Sequence, residues 1–270
     1  MRRKFIRLSW LVILIFMVAG FIIAEEKAPE PNQNQEEVAN YIQIKETIIP
    51  KEECLTLRIM EMKGSLIVTG LADKDQIVVR ILSDTANDIS LNEVEVITEK
   101  LGDELWLEIN WPSPNMIAKN SYRIEIELPQ EMNLILGETN ELVQIAKIAG
   151  LDLNSRGGKL DISLLSGPVR IRDNGGNINL REVNGDVWIS DAGGDMLVEG
   201  IVGLVTIDSD TFINLVMQKV VGDVTVSTRL GGLVDIKNIE GNVSVFSRGP
   251  LTTKCDAISG SLMLPEDINL

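Results

Sequence analysis

From Gly150 to the C-terminus, apolar residues recur in pairs two positions apart: Val169/Ile171, Ile178/Leu180, Val187/Ile189, Met196/Val198, Val224/Val226, Val234/Ile236 and Val243/Val245. Side chains alternate faces along a β-strand, so the members of each pair point the same way. Arg170, Asn179, Trp188, Thr225, Asp235 and Ser244, which lie between them, point the other way. Glycines punctuate these short strands in two interleaved series. Gly150, Gly167, Gly185, Gly203, Gly222, Gly241 and Gly260 follow an apolar residue closely, as after Ile148, Leu165 and Val183. Gly158, Gly176, Gly194, Gly232 and, in place of glycine, Phe212 and Pro250 belong to the second series, whose polar turns read NSRGG, RDNGG, SDAGG, STRLGG and FSRGP.

Two kinds of corner therefore alternate, and the repeat is 17 to 20 residues carrying two strands. One such unit leaves its apolar face wet, so neighbouring units must stack to bury it. The pattern predicts an all-β chain built as a β-solenoid, parallel β-helix-like, with about six repeats over residues 146–270; six layers at about 4.8 Å make roughly 29 Å of rod. A meander of antiparallel hairpins is the rival reading, since its turns also use Asn-Gly and Gly-Gly pairs. Residues 41–145 alternate less regularly, in YIQIK, CLTLRIMEM, SLIVTG, QIVVRIL, EVEVITE, LWLEINW and YRIEIEL. They predict an irregular β region or N-terminal cap continuous with the rod.

The N-terminus differs. Arg2, Arg3, Lys4 and Arg7 precede 17 uncharged residues from Leu8 to Ala24, the pattern of a signal peptide or an N-terminal membrane anchor. Basic flanks stay cytoplasmic, which places the rest of the chain outside the cytoplasm, in the periplasm or at the cell surface. Residues 25–40, EEKAPEPNQNQEEVAN, have nothing to bury and predict a flexible polar linker.

GSLIVTGLADKDQIVVRI, YRIEIELPQEMNLIL and units such as GGNINLREVNGDVWISDAGGDMLVEGIVG resemble the bacterial putative-adhesin family of exported β-strand repeat proteins of unknown function, over roughly residues 50–264. The resemblance implies an exported β-solenoid and supplies no catalytic residue. Phe212 and Pro250 depart from the repeat and imply distorted corners.

Composition narrows the chemistry. The chain has no histidine, which excludes Ser-His-Asp and Cys-His catalysis and His-ligated zinc or copper. Its two cysteines, Cys54 and Cys255, form no CxxC pair, and a rod separates them too far for a disulfide, so two unpaired thiols are expected. Without the four basic residues of the leader, 21 basic against 40 acidic residues leave −19, a balance that disfavours nucleic acid and anionic lipid as partners. Asp186, Asp195 and Asp223 each follow a corner glycine, and Asp208-Ser209-Asp210 reads as a polar turn. Stacked carboxylates there would suit a hard cation, but the calcium-roll consensus is absent and Leu204 and Leu233 interrupt the series, so solvated surface charge is the default. Trp188 is expected on the outer face, covering a neighbouring side chain, since aromatics at 4% form no visible sugar-binding track.

No catalytic, cofactor or metal residue is assigned. The expected function is a non-enzymatic envelope protein, adhesin or scaffold, with a surface protein or polysaccharide as ligand. A solenoid carbohydrate-active enzyme and a self-associating envelope filament are the alternatives. Repeats without insertions leave no loops to build a catalytic cleft, and Pro265, Glu266 and Asp267 discourage strand addition at the C-terminal end.

Overall fold

The computed structural model describes residues 41–84, 94–111, 122–139 and 141–265. The leader expected at 1–24 and the linker at 25–40 lie outside the described residues, as do Glu266 and Asp267. Residues 40–270 form one compact unit, and every regular element described in it is a strand.

Eight strands come first: β1 (Ile42–Pro50), β2 (Thr56–Glu61), β3 (Ser65–Leu71), β4 (Gln76–Ser83), β5 (Glu95–Leu101), β6 (Glu104–Asn110), β7 (Tyr122–Pro129) and β8 (Asn133–Thr139). From β9 (Leu142–Ala146) the chain alternates between two sheets. β10 (Leu151–Ser155), β12 (Val169–Asp173), β14 (Val187–Asp191), β16 (Val205–Ser209), β18 (Val224–Thr228), β20 (Val243–Ser247) and β22 (Leu262–Met263) lie in one. β9, β11 (Lys159–Leu165), β13 (Asn177–Asn184), β15 (Asp195–Val202), β17 (Phe212–Val221), β19 (Gly232–Glu240) and β21 (Leu251–Ile258) lie in the other. Each odd–even pair is one turn, and every pairing between successive turns is parallel, which rules out the antiparallel meander. The result is a two-sheet β-solenoid.

The first sheet runs β1-β4-β7-β3-β9 and on through the odd strands to β21; the second runs β5-β6-β2-β8-β10 and on through the even strands to β22. Parallel stacking therefore reaches well before residue 146, and not in chain order. The early turn made by β2 and β3 is sandwiched between β6–β7 on one side and β8–β9 on the other. Antiparallel pairing is confined to the N-terminal end, at β1–β4, β4–β7 and β5–β6.

Alternation supplies the core. In one turn, Leu160, Ile162 and Leu165 from β11 meet Val169 and Ile171 from β12, all at most 2% exposed, and the other turns repeat the scheme. The step from Ile162 to Leu165 breaks the period of two. It does so because Leu164 between them adopts a left-handed backbone (φ 60°). Lys147, Glu182, Gly200, Lys219, Asn238 and Ala257 occupy the same place in their turns with φ of 60°, 55°, 70°, 58°, 56° and 52°. This column bends the chain just after β9 and the odd strands from β11 to β21, so that one further apolar residue turns inward in each. Only one of its seven members is glycine, and the side chains of the other six are exposed.

At the corners glycine is required for space. A Cβ on Gly194, where φ is +141°, would sit 1.7 Å from the carbonyl oxygen of Gly176 one turn below. Phe212 replaces glycine at the cost of a register shift between Phe212 and Leu215 in the β17–β19 pairing, the distortion expected there. Pro250 causes none, because Gly232 pairs with Leu251 and the ladder continues unbroken. Both cysteines are unpaired: Cys54, just before β2, is buried, and Cys255 on β21 is half-buried with its thiol pushed up by burial and by nearby Asp235.

Two alanine substitutions separate these roles. Gly200→Ala meets nothing nearer than 3.5 Å and is expected to cost about 1 kcal/mol of left-handed strain. Gly194→Ala must push adjacent turns away from each other and is expected to cost more than about 4 kcal/mol, or to abolish soluble expression; denaturant unfolding of both proteins measures the difference.

Candidate ligand-binding face

The outward residues of the second sheet form straight rows because the strands are in register. One row reads Trp106, Arg58, Ile135, Asp152, Arg170, Trp188 and Thr206, contributed in order by β6, β2, β8, β10, β12, β14 and β16. Five strand steps separate the two tryptophans, roughly 24 Å.

At one end the groups are mutually saturated. Arg58 donates from Nε to Glu104 Oε2 (2.7 Å) and from Nη2 to Oε1 (2.9 Å), while Trp106 Nε1 donates to the same Oε2 at 3.0 Å. The guanidinium lies 5.1 Å from the Trp106 ring centre. Hydrogen bonds from Arg58 hold the Glu104 carboxyl below the usual carboxylate range, with burial opposing and Trp106 assisting. Beside this cluster Met60, Lys63, Ile97, Trp106 and Trp111 line a pocket of about 340 Å³.

Towards the middle of the face Arg172 Nη1 donates to Asp152 Oδ1 (2.7 Å) and to Asn154 Oδ1 (3.1 Å). Trp188 is half-buried, as its outward position predicts, and is covered by its neighbours: the Arg170 and Arg172 guanidinium carbons lie 4.7 Å and 5.6 Å from its ring centre. Arg170 is exposed, and among the described residues it makes no hydrogen bond or ion pair, so its N–H donors face solvent from a position fixed by stacking. It borders a groove of about 630 Å³ that Ile135, Asp152, Pro168, Trp188, Leu204 and Thr206 help to line. Leu204 is 54% exposed there, an apolar side chain with nothing over it.

Three of the aspartates considered for a cation, Asp186, Asp223 and Asp210, are used otherwise. Asp186 Oδ1 accepts the amide of Leu204 in the next turn (2.9 Å), and Asp223 Oδ1 accepts both the backbone amide (2.8 Å) and the side-chain Nδ2 (3.1 Å) of Asn242. Asn242 Oδ1 in turn accepts from Ser261 N (2.9 Å) and Oγ (2.8 Å). Leu204 separates Asp186 from Asp223 along this corner, and Asp195 belongs to the opposite corner, so the three carboxylates do not converge. Among the described residues no three His, Cys, Asp or Glu side chains are grouped to hold a metal ion. Asp208-Ser209-Asp210 is not a turn: Asp208 and Ser209 complete β16, Ser209 points inward, and only Asp210 leaves the strand, where it pairs with Arg229 at 2.6 Å.

Alternation along the chain puts Trp188 and Arg170 on one face, but it does not mark Trp106 and Arg58 as their neighbours. They join the row only because β2 and β6 are layered under β8, an order that no local signal carries.

No family model matches the chain, and no curated protein matches it. Among solved structures, it is similar to a putative cell adhesion protein from Clostridium sporogenes ATCC 15579, at 12% identity over 80% of this chain and 99% of that one, with a TM-score of 0.38. It is similar also to a putative adhesin from Bacteroides fragilis NCTC 9343 (13% identity, 81% and 95% covered, TM-score 0.37) and to a putative lipid binding protein from Parabacteroides distasonis ATCC 8503 (12%, 82% and 96%, TM-score 0.31).

The Glu104 cluster has a pH signature. A carboxyl held low in the folded state stabilises above its unfolded pKa, and that contribution disappears as pH falls through its folded value. Glu104→Gln is expected to lower stability by about 1 kcal/mol at pH 7, with the difference from the parent protein closing towards pH 3; urea unfolding at the two pH values checks it.

Proposed function

We propose that this chain is an exported, non-enzymatic adhesin-like protein that holds a surface ligand, polysaccharide or protein, in the groove beside Arg170 and Trp188. The observation that carries this reading is Arg170. Its neighbours on the face, Arg58 and Arg172, are tied to Glu104 and Asp152, whereas Arg170 is stacked on an indole and keeps its hydrogen-bonding capacity for something else. Stacking removes much of the rotamer freedom that a ligand would otherwise have to freeze, so the contact is pre-organised. The apolar surface of Leu204, Pro168 and Ile135 beside it gives a ligand something to desolvate.

Binding fits this groove better than catalysis. The carboxylates there are engaged, Asp152 by Arg172 and Asp186 by the Leu204 amide, which leaves no free acid and base pair of the kind glycoside hydrolysis uses. The basic, then apolar N-terminal segment followed by an acidic Pro-containing stretch suits export and display of the solenoid on a tether outside the cytoplasm.

Residues 25–270, immobilised and challenged with arrayed bacterial surface polysaccharides and extracellular-matrix proteins, are expected to retain at least one ligand. Arg170→Ala and Trp188→Ala should each weaken that retention at least about tenfold, a loss of about 1.4 kcal/mol, and Arg170→Ala should leave the melting temperature unchanged because its side chain is exposed. Ligand retention insensitive to both substitutions would remove the groove from the function.

A further inference from the structure

The inward alternation of the second sheet does not stop at its apolar pairs. Two residues after each pair comes one more inward position, occupied in successive turns by Ser155, Asp173, Asp191, Ser209, Thr228 and Ser247, with Thr139 of β8 in register below. All but half-buried Ser247 are at most 6% exposed. A polar ladder thus runs inside the solenoid along its polar corner.

Four of its hydroxyl members share one task, while Thr139 Oγ1 is buried without a hydrogen-bond partner among the described residues. Ser155 Oγ donates to Gly157 O at 2.9 Å, Ser209 Oγ to Thr211 O at 2.9 Å, Ser247 Oγ to Gly249 O at 2.7 Å and Thr228 Oγ1 to Gly231 O at 3.2 Å. Each hydroxyl ties the strand end to a carbonyl of the turn that follows. An ionised carboxylate cannot, since it has no proton to donate. Asp173 and Asp191 occupy that place in two adjacent turns, and both oxygens of Asp173 and Oδ1 of Asp191 are buried without a well-formed hydrogen bond among the described residues. Two negative charges about 4.8 Å apart in such a place are opposed by burial and by each other.

No basic side chain offsets them. From β10 the pair is faced by Ser155, and from β16 by Ser209. The first inward residues of β11, β13, β15 and β17, namely Leu160, Ile178, Met196 and Phe212, and Leu215 in register with Met196, are uncharged. The nearby cations are committed on the outside, Arg172 to Asp152, Arg156 to Glu138 and Arg229 to Asp210.

We infer that Asp173 and Asp191 form a buried proton-binding site, holding one proton between them in mild acid and releasing it towards neutral pH, so that the middle turns of the solenoid are a pH-sensitive element. The protonated carboxyl regains the donor that the hydroxyls of the neighbouring turns supply. Burial raises the Asp173 carboxyl above its usual range, outweighing the pull of the Ser155 hydroxyl and the turn amides. Burial foremost, with smaller contributions from the Asp173 and Asp210 charges and against the turn amides of Gly193 and Ala192, pushes Asp191 to about 6. A folded-state value raised above the unfolded one stabilises fully below the unfolded pKa, and that stabilisation is lost as pH rises through the folded value. The window runs from about pH 4 to a little above pH 6.

The test is a titration of the full chain, purified with a chelator and labelled with ¹³C at the aspartate carboxyls, alongside thermal unfolding of the parent, Asp191→Ser and Asp173→Ser. Serine is what the turns on either side carry, so both variants suit the ladder. One carboxyl resonance is expected to titrate at or above pH 6 and to vanish in Asp191→Ser. That variant should melt roughly 5 °C above the parent at pH 8 and lose this advantage near pH 4. Two resonances titrating near 4 in the parent protein would overturn the inference whatever the variants do. A calcium- or sodium-dependent rise in the parent's melting temperature, abolished in both variants, would overturn it in favour of a cation site.

Discussion

The structure depends on one constraint, the in-register parallel stacking of turns at strand spacing. Each turn hydrogen-bonds through its backbone to the turns on either side, so whatever occupies a position in one turn is pressed against the same position in the next. At the corners the pressed atoms are backbone, and a carbonyl oxygen 1.7 Å from where a Cβ of Gly194 would stand leaves room for hydrogen alone. Where the chain departs from glycine, at Phe212, the ladder adjusts by shifting register rather than by opening. The left-handed column from Lys147 to Ala257 answers a different need. There the conformation bends the strand while the side chain points to solvent, so ordinary residues serve and the strain is borne for an extra inward apolar contact per turn.

Stacking also decides what happens to polar groups. On the outer corner Asp186, Asp223 and Asn242 reach up to the amide of the following turn, which turns what looks in sequence like a series of cation ligands into backbone caps. Inside, the same vertical logic lets Ser155, Ser209, Thr228 and Ser247 tie strand ends to turn carbonyls, whereas Thr139, Asp173 and Asp191 do not. A buried group that its neighbours cannot satisfy is costly in a medium of low polarity, so the physical chemistry of the chain concentrates there. On the outer face, where water is available, the reverse holds. On the second sheet Arg58 and Arg172 are tied to carboxylates of neighbouring strands, whereas Arg170, held by Trp188, is not.

Much of this was legible in the chain. The pairs Val169/Ile171 and Val187/Ile189, with two alternating kinds of glycine corner, specified the turn, its length and the facing of the paired residues and those between them, because period-two alternation and the steric demand of a tight corner are local properties. The inward position of Asp173 and Asp191 was written in the same alternation, two residues beyond Ile171 and Ile189. It was hidden because RDNGG and SDAGG read as polar turns, which takes their aspartates out of the strand.

What the sequence by itself determined, then, is the repeating unit: strand, corner, strand, corner, with an apolar inside. Tertiary structure alone decided which units touch. That β2 and β3 lie between β6–β7 and β8–β9, that Trp106 and Arg58 fall in line with Arg170 and Trp188, and that three oxygens of Asp173 and Asp191 are buried without a well-formed hydrogen bond are consequences of layering. Any strand of suitable alternation can pair with any other, so local pattern carries no record of its neighbour. The neighbour is selected by the whole stack, through the burial of every inward face and the satisfaction of every edge at once.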